Sequence, residues 1–197
     1  ADGSFELLQA LEEHPKVIVY THLGRQNRGQ SASINLGLKK AEGEFVALLD
    51  SDDYFLPGKL ERQVRFLQEN TDVGMVYSQG HAVDANGTFL FQLLPESHQE
   101  PGDPNRLLLD CYMALPGGSL VRKSVWDEVG YFEESFRAAQ DHDMALRLME
   151  AAPVAYLPEP VFCYRKHGDS ISQTGLERRW KTGFEILERA KHRYPYN

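Results

Sequence analysis

FVALLDSDDYFLP, residues 45–57, is the stretch whose reading decides the fold. A short apolar run, Glu44 to Leu49, has the continuous hydrophobicity of a strand covered on both faces. It leads directly into Asp50-Ser51-Asp52-Asp53, and Pro57 is placed to be the first residue of the next helix, where its missing N–H costs nothing. In an open α/β sheet, ligands bind beyond the carboxyl ends of the strands. Residues two apart on extended backbone point the same way, so Asp50 and Asp52 can converge on one cation. Carboxylates packed this closely are unfavourable unless positive charge sits among them, and Mg²⁺ or Mn²⁺ suits such an oxygen site. The plainer account is an acidic cap and solvated turn before the next helix, a role aspartate also fills well.

Outward from this stretch, helical and strand-like segments alternate, the pattern of an α/β domain with a mostly parallel sheet. On the N-terminal side the pattern predicts a helix over Phe5–Glu13 capped by Ser4, a strand over Lys16–Thr21 and a helix over Ser31–Lys40. On the C-terminal side it predicts a helix with Leu60, Val64 and Leu67 buried, and a strand over Val73–Ser78. A hairpin turning at Asn86-Gly87 follows. Pro95–Pro104 reads as a polar loop, the segment expected to move most. Beyond it come a strand over SLVR, a helix from Lys123, a helix over Asp141–Glu150 and short strands over Pro153–Leu157 and Val161–Arg165. A terminal amphipathic helix carries Leu176, Trp180, Leu187 and Lys191 in register.

Three other segments bear on chemistry. In GRQNRGQSASINLGLKKAEG (24–43), small residues let a helix begin close to a ligand, and Arg25 and Arg28 can reach a phosphate or pair with the aspartates. In AAQDHDMALRL (138–148), Asp141 and Asp143 fall in a first helical turn, where negative charge is favoured; a carboxylate there can also face a cleft as a general base. In YRKHGDSIS (164–172), Arg165 can clamp a diphosphate through its planar fork or pair with a surface acid, while a lone His such as His167 is more often structural or exposed than a ligand.

The chain of 197 residues suits one domain, and its net charge of −8 argues against a nucleic-acid binder working through phosphate contacts. Cys111 and Cys163 lack metal-site spacing and read as a reduced pair. The apolar runs are too short to cross a bilayer.

Asp2-Gly3-Ser4, NxGxSxxxNxG from Asn27, EGEFVALLDSDD, P-x-KLE, GGSLVRKSVWDEVGYFEE (117–134), QDHDMALRL and YRKHGDSIS occur in this order. The set resembles the family 2 glycosyltransferases, inverting enzymes of GT-A fold, over nearly all the chain up to about Ser172. The resemblance implies a GT-A-like catalytic domain over 1–172, with residues 173–197 a helix packed on it. It implies that Asp50 and Asp52 match the DxD motif, Asp52 as direct metal ligand and Asp50 nearer the ribose. Asp141 matches the catalytic base, and Asp2 the segment that contacts the nucleotide base. Asn27, Arg28, Asn35 and Arg165 are further donor-binding candidates, His167 a further metal ligand, and Gly117 and Gly118 line the acceptor pocket.

Two departures stand out. Gln140 occupies a position where the family has Glu. The chain also begins at Ala1-Asp2-Gly3-Ser4, where a strand, a helix and a second strand would ordinarily precede. An N-terminally truncated domain would expose a sheet edge, through which two copies could pair.

The implied reaction moves a sugar from a nucleoside-diphosphate donor, a UDP-sugar in the first instance, to an acceptor hydroxyl with inversion, assisted by Mn²⁺ or Mg²⁺. The acceptor would be a glycan or lipid-linked glycan, as in bacterial cell-surface glycan synthesis. The rivals are a non-catalytic nucleotide- or sugar-binding relative and a sugar-1-phosphate nucleotidyltransferase, whose Gly-rich basic opening loop is not visible. The expected location is the cytoplasm. The basic residues of the last helix are compatible with the inner face of a membrane, but packing on the core is the plainer account.

Overall fold

The computed structural model describes residues 3–168 and 176–196. In chain order the elements begin with α1 (Ser4–Leu11), α2 (Gln30–Lys40), β1 (Phe45–Val46), β2 (Tyr54–Phe55), α3 (Lys59–Glu69), β3 (Met75–Val83) and β4 (Phe89–Gln92). They continue with α4 (Pro104–Leu109), the single turn α5 (Leu115–Gly118), β5 (Ser119–Arg122), α6 (Lys123–Val129), α7 (Gln140–Ala151), β6 (Val154–Arg165) and α8 (Leu176–Ala190). The strands form one sheet in the order β1-β5-β3-β6-β2, with β4 pairing to β3.

The α/β class expected from the alternation holds, but the sheet is mixed rather than mostly parallel. The β3–β6 ladder is parallel, whereas β1–β5, β3–β5, β3–β4 and β2–β6 are antiparallel. The expected strand at Lys16–Thr21 forms no ladder, and of the run Glu44–Leu49 only Phe45–Val46 does. Without a ladder between them Ile18 and Tyr20 stay 69% and 46% exposed.

β3 is the central strand, buried along its length except partly at His81. The two short strands expected near the C-terminus are one, β6, with Pro158 and Pro160 inside it. The ladder with β3 slips there, between Ser78 and Gly80, because proline has no N–H to give. Helix α3 begins at Lys59 behind Gly58 (φ 79°), two residues later than Pro57 suggested. Its inward face is Lys59, Gln63 and Leu67, while Leu60 is 49% exposed.

The principal core gathers Met75, Tyr77, Leu107, Leu115, Trp126, Met144 and Leu148 between sheet and helices. Helix α8 packs on it through Ile186 and Ala190, not through the expected register: Trp180 and Leu187 are 68% and 40% exposed. The outer strand β4 carries Phe89, Leu90 and Phe91 exposed. No helix among the described residues is long and apolar enough to cross a membrane. Cys111 and Cys163 are free thiols.

Candidate active site

Beyond β1 the chain turns at Asp50-Ser51-Asp52-Asp53, closed by the Asp53 N–H donating to the Asp50 carbonyl at 3.2 Å. Asp50 is partly buried and its Oδ1 accepts from Gln30 Nε2 at 2.8 Å. Burial pushes the Asp50 carboxyl above its ordinary range against that hydrogen bond, and the charges of Asp52 and Asp141 push the same way. Burial likewise raises Asp53 to about 6, although the Arg165 N–H donates to its Oδ1 at 2.8 Å. Asp52 points outward, and its Oδ2 lies 3.0 Å from His167 Nε2.

The site therefore concentrates carboxylates, with the Arg165 guanidinium acting on Asp53 and Arg106 on the same cleft. Asp52, with Asp50 beside it, offers the carboxylate oxygens that suit Mn²⁺ or Mg²⁺, and His167 adds a nitrogen donor next to them. Among the described residues no group of three or more His, Cys, Asp or Glu side chains is set to enclose an ion. Such a partial set fits an ion that completes its shell with phosphate oxygens and water.

Asp50 and Asp53 line a cleft of about 680 Å³ together with Asp141, from the first turn of α7. Pro95, His98, Tyr112, Phe162 and Tyr164 form much of the rest of its wall. Asp141 is held by its Oδ1 accepting the His142 N–H at 3.0 Å, and His142 Nε2 is 2.7 Å from the Leu107 carbonyl of α4. Asp143 is buried and ion-paired to Arg147 at 3.0 Å, the structural role that its place in the helix suggested. The residue before Gln140, Ala139, has φ 54°, a left-handed conformation uncommon for a side-chain-bearing residue.

The glycines expected at an acceptor pocket, Gly117 and Gly118, lie behind the wall of this cleft rather than on it. A Cβ at Gly117 (φ 79°) would stand 2.3 Å from the Phe162 ring, and one at Gly80 equally close. Gly117 and Gly118 thus give Phe162 its seat. Behind them, Gln63 Nε2 donates to the Gly118 carbonyl at 2.8 Å, and Lys59 Nζ donates to Gln63 and to the Ser119 carbonyl.

The Pro95–Pro104 segment is fastened at its middle. His98 is 2.5 Å from the Tyr77 hydroxyl and packs among Tyr112 and Tyr156, and the Tyr112 hydroxyl donates to Glu100 at 3.2 Å.

Other candidates are engaged elsewhere. Asn35 exchanges hydrogen bonds with the Phe132 backbone and donates to Glu134, tying α2 to the loop before α7. Arg28 pairs with Glu134 at 3.4 Å, and Asn27 accepts from the Gly29 N–H. Neither Asn27, Arg28 nor Asn35 lines the cleft. Arg165 spends its Nε and Nη1 on the carbonyls of Asp52 and Ala85, fastening two loops beside the acidic turn. Asp2 lies outside the described residues. Sequence reasoning missed Gln30, Phe162 and His98; only the place of Gln30 directly after Gly29, at a helix start near the acidic strand, could have drawn attention to it.

The chain matches the model of the family described as Glycosyl transferase family 2 over residues 1–130. It is 26% identical over 142 residues to an uncharacterized glycosyltransferase of Methanocaldococcus jannaschii, covering 72% of this chain and 48% of that protein. It is 25% identical over 195 residues to the chondroitin synthase of Pasteurella multocida, covering 98% of this chain and 19% of that protein. The chain thus spans half or less of these relatives. Among solved structures, S. aureus TarS 1-349 in complex with UDP-GlcNAc aligns with a TM-score of 0.73 at 21% identity, covering 95% of this chain and 52% of that one. TarS 1-349 in complex with UDP gives 0.68 at 19% identity. At such identities the likeness shows the fold, which is GT-A-like.

Proposed function

The chain belongs to glycosyl transferase family 2, and from that premise we propose that it moves a sugar from a nucleoside-diphosphate donor to an acceptor hydroxyl with inversion. A UDP-sugar is the donor class this reading favours, given that the TarS structures it resembles were solved with UDP-GlcNAc and UDP. The observation that carries the reading is the meeting of Asp50 and Asp141 in one cleft, with Asp52 and His167 paired beside Asp50.

The acidic turn is the donor side. Asp52 and His167 would hold Mn²⁺ or Mg²⁺, which when bound supplies positive charge to the departing diphosphate. Asp50 would orient the nucleotide. Asp141 would face the acceptor: as the hydroxyl oxygen bonds to the anomeric carbon, Asp141 takes its proton, and the bond to the diphosphate breaks with its electron pair leaving on the phosphate oxygen. General-base help of this kind contributes about 10²–10⁴-fold. Phe162, Tyr112 and Tyr164 would form the walls along which the acceptor lies.

Titration of UDP with Mn²⁺, and again with EDTA, into the wild-type chain and Asp52→Ala tests the donor side calorimetrically. Binding that needs both metal and Asp52 is expected. Asp141→Asn should then retain UDP binding while losing transfer or donor hydrolysis at least 100-fold. Equal loss of UDP binding in Asp141→Asn would remove the role assigned to it, and UDP binding without turnover in the wild type would favour a non-catalytic relative.

A further inference from the structure

We propose that Gln30 and Gln140 form a positioning relay that fixes the Asp50 carboxylate and ties it to the helix bearing Asp141; this rests on reading Asp50 as the donor-side carboxylate. Gln140 Nε2 donates to Gln30 Oε1 at 2.7 Å, and Gln30 Nε2 donates to Asp50 Oδ1 at 2.8 Å. The two amides are the first residues of α7 and α2, so the relay joins the starts of two helices to the end of β1.

Its direction is set at one end. An ionised carboxylate only accepts hydrogen bonds, so Gln30 must turn its NH₂ toward Asp50 and its oxygen toward Gln140. Gln140 must then present its own NH₂, which leaves its Oε1 buried with no hydrogen-bond partner. Turning the Gln140 amide would set two oxygens against each other at 2.7 Å. The unpartnered oxygen is therefore a consequence of the direction, which Asp50 imposes. A second cost accompanies it, since Ala139, the cap before Gln140, is held in left-handed backbone.

An amide donates at 140, and an ionised carboxylate cannot replace it. A carboxylate there has no N–H for Gln30 Oε1. Gln30 would face oxygen on both sides, and whichever way it turned, one contact would be repulsive. Gln140 is thus the donor that starts the relay.

The test compares Gln140→Glu, Gln140→Met, Gln30→Met and the double variant Gln30→Met/Gln140→Met by UDP titration with Mn²⁺ and by thermal unfolding. Gln140→Glu, matched in size, should weaken UDP binding about tenfold, more than Gln140→Met, with little change in the unfolding midpoint. The double variant should be no weaker than Gln30→Met alone, because both residues act through one chain; additive losses, or a Gln140→Glu indistinguishable from wild type, would overturn the relay. A ligand-free arm separates this from the donor reading: the side-chain NH₂ resonances of Gln30 should shift on Gln140→Met and on Gln140→Glu. Unmoved resonances sink the relay whatever binds. Shifted resonances in a wild-type chain that takes no UDP support the relay and overturn the donor reading instead.

Discussion

Asp53 shows what a crowded acidic turn costs. Its carboxyl is raised to about 6 in the folded chain, against 3.8 ordinarily, with burial as the main cause. Between about pH 4 and 6 the folded state therefore holds a proton that the unfolded state has lost, so stability falls as pH rises through this window and stays lowered above it. Asp53→Asn keeps an oxygen for the Arg165 N–H and removes the charge. It should stabilise the metal-free chain at pH 7 by about 1 kcal/mol, after discounting for solvent, and the gain should vanish near pH 4; denaturant unfolding at the two pH values measures it. At this scale the sequence revealed types better than partners. DSDD after an apolar run announced the acidic turn, whereas the first-turn place of Asp141 left a helix-end charge and a cleft carboxylate equally open, and only the resemblance chose between them. Asn35 is a donor-binding candidate through the resemblance alone, and its amide is engaged by the Phe132 backbone, a partner 97 residues away that no local pattern marks.

Helix α3 shows why element faces were harder to read than element positions. Its apolar periodicity put Leu60, Val64 and Leu67 inward; Leu67 is buried and Val64 packs against its cluster, but Lys59 and Gln63 turn in where Leu60 does not, because their polar ends find partners in Ser78, Gly118 and Ser119. Burial lowers the Lys59 ammonium to about 7. Above that pH the folded state carries the amine neutral while the unfolded chain keeps it charged, so this residue makes stability rise with pH from about 7 toward the ordinary lysine range, by at most about 1.4 kcal/mol per pH unit. Lys59→Met should flatten the rise between pH 7 and 9 relative to wild type; parallel slopes in chemical denaturation would show that Lys59 does not titrate there. In β6 the two prolines suggested a break, and the strand instead runs through them with a slipped register, a compensation supplied by the neighbouring β3.

For the whole molecule, alternation of helix and strand was enough to give the α/β class, and the ordered motifs were enough to give the family. Pairing direction was not accessible, because antiparallel and parallel strands share the same local chemistry and differ only in where the chain returns. The last helix is the clearest case of order without orientation: its span was read closely, but Ile186 and Ala190, not Trp180, meet the core. Ile186→Ala should therefore cost about 2–4 kcal/mol of global stability, whereas Trp180→Ala should stay within about 0.5 kcal/mol, as paired melting curves would show. The outer strand β4 has a colloidal consequence. Its aromatic and aliphatic side chains, exposed beside a backbone edge that no strand among the described residues pairs, form an adhesive strip. A net charge of −8 keeps copies of the chain apart. That repulsion reaches only about 8 Å at physiological ionic strength and about 3 Å at 1 M salt. Added salt thus removes the barrier and leaves the strip, making concentrated solutions of this acidic protein most dispersed where ionic strength is lowest.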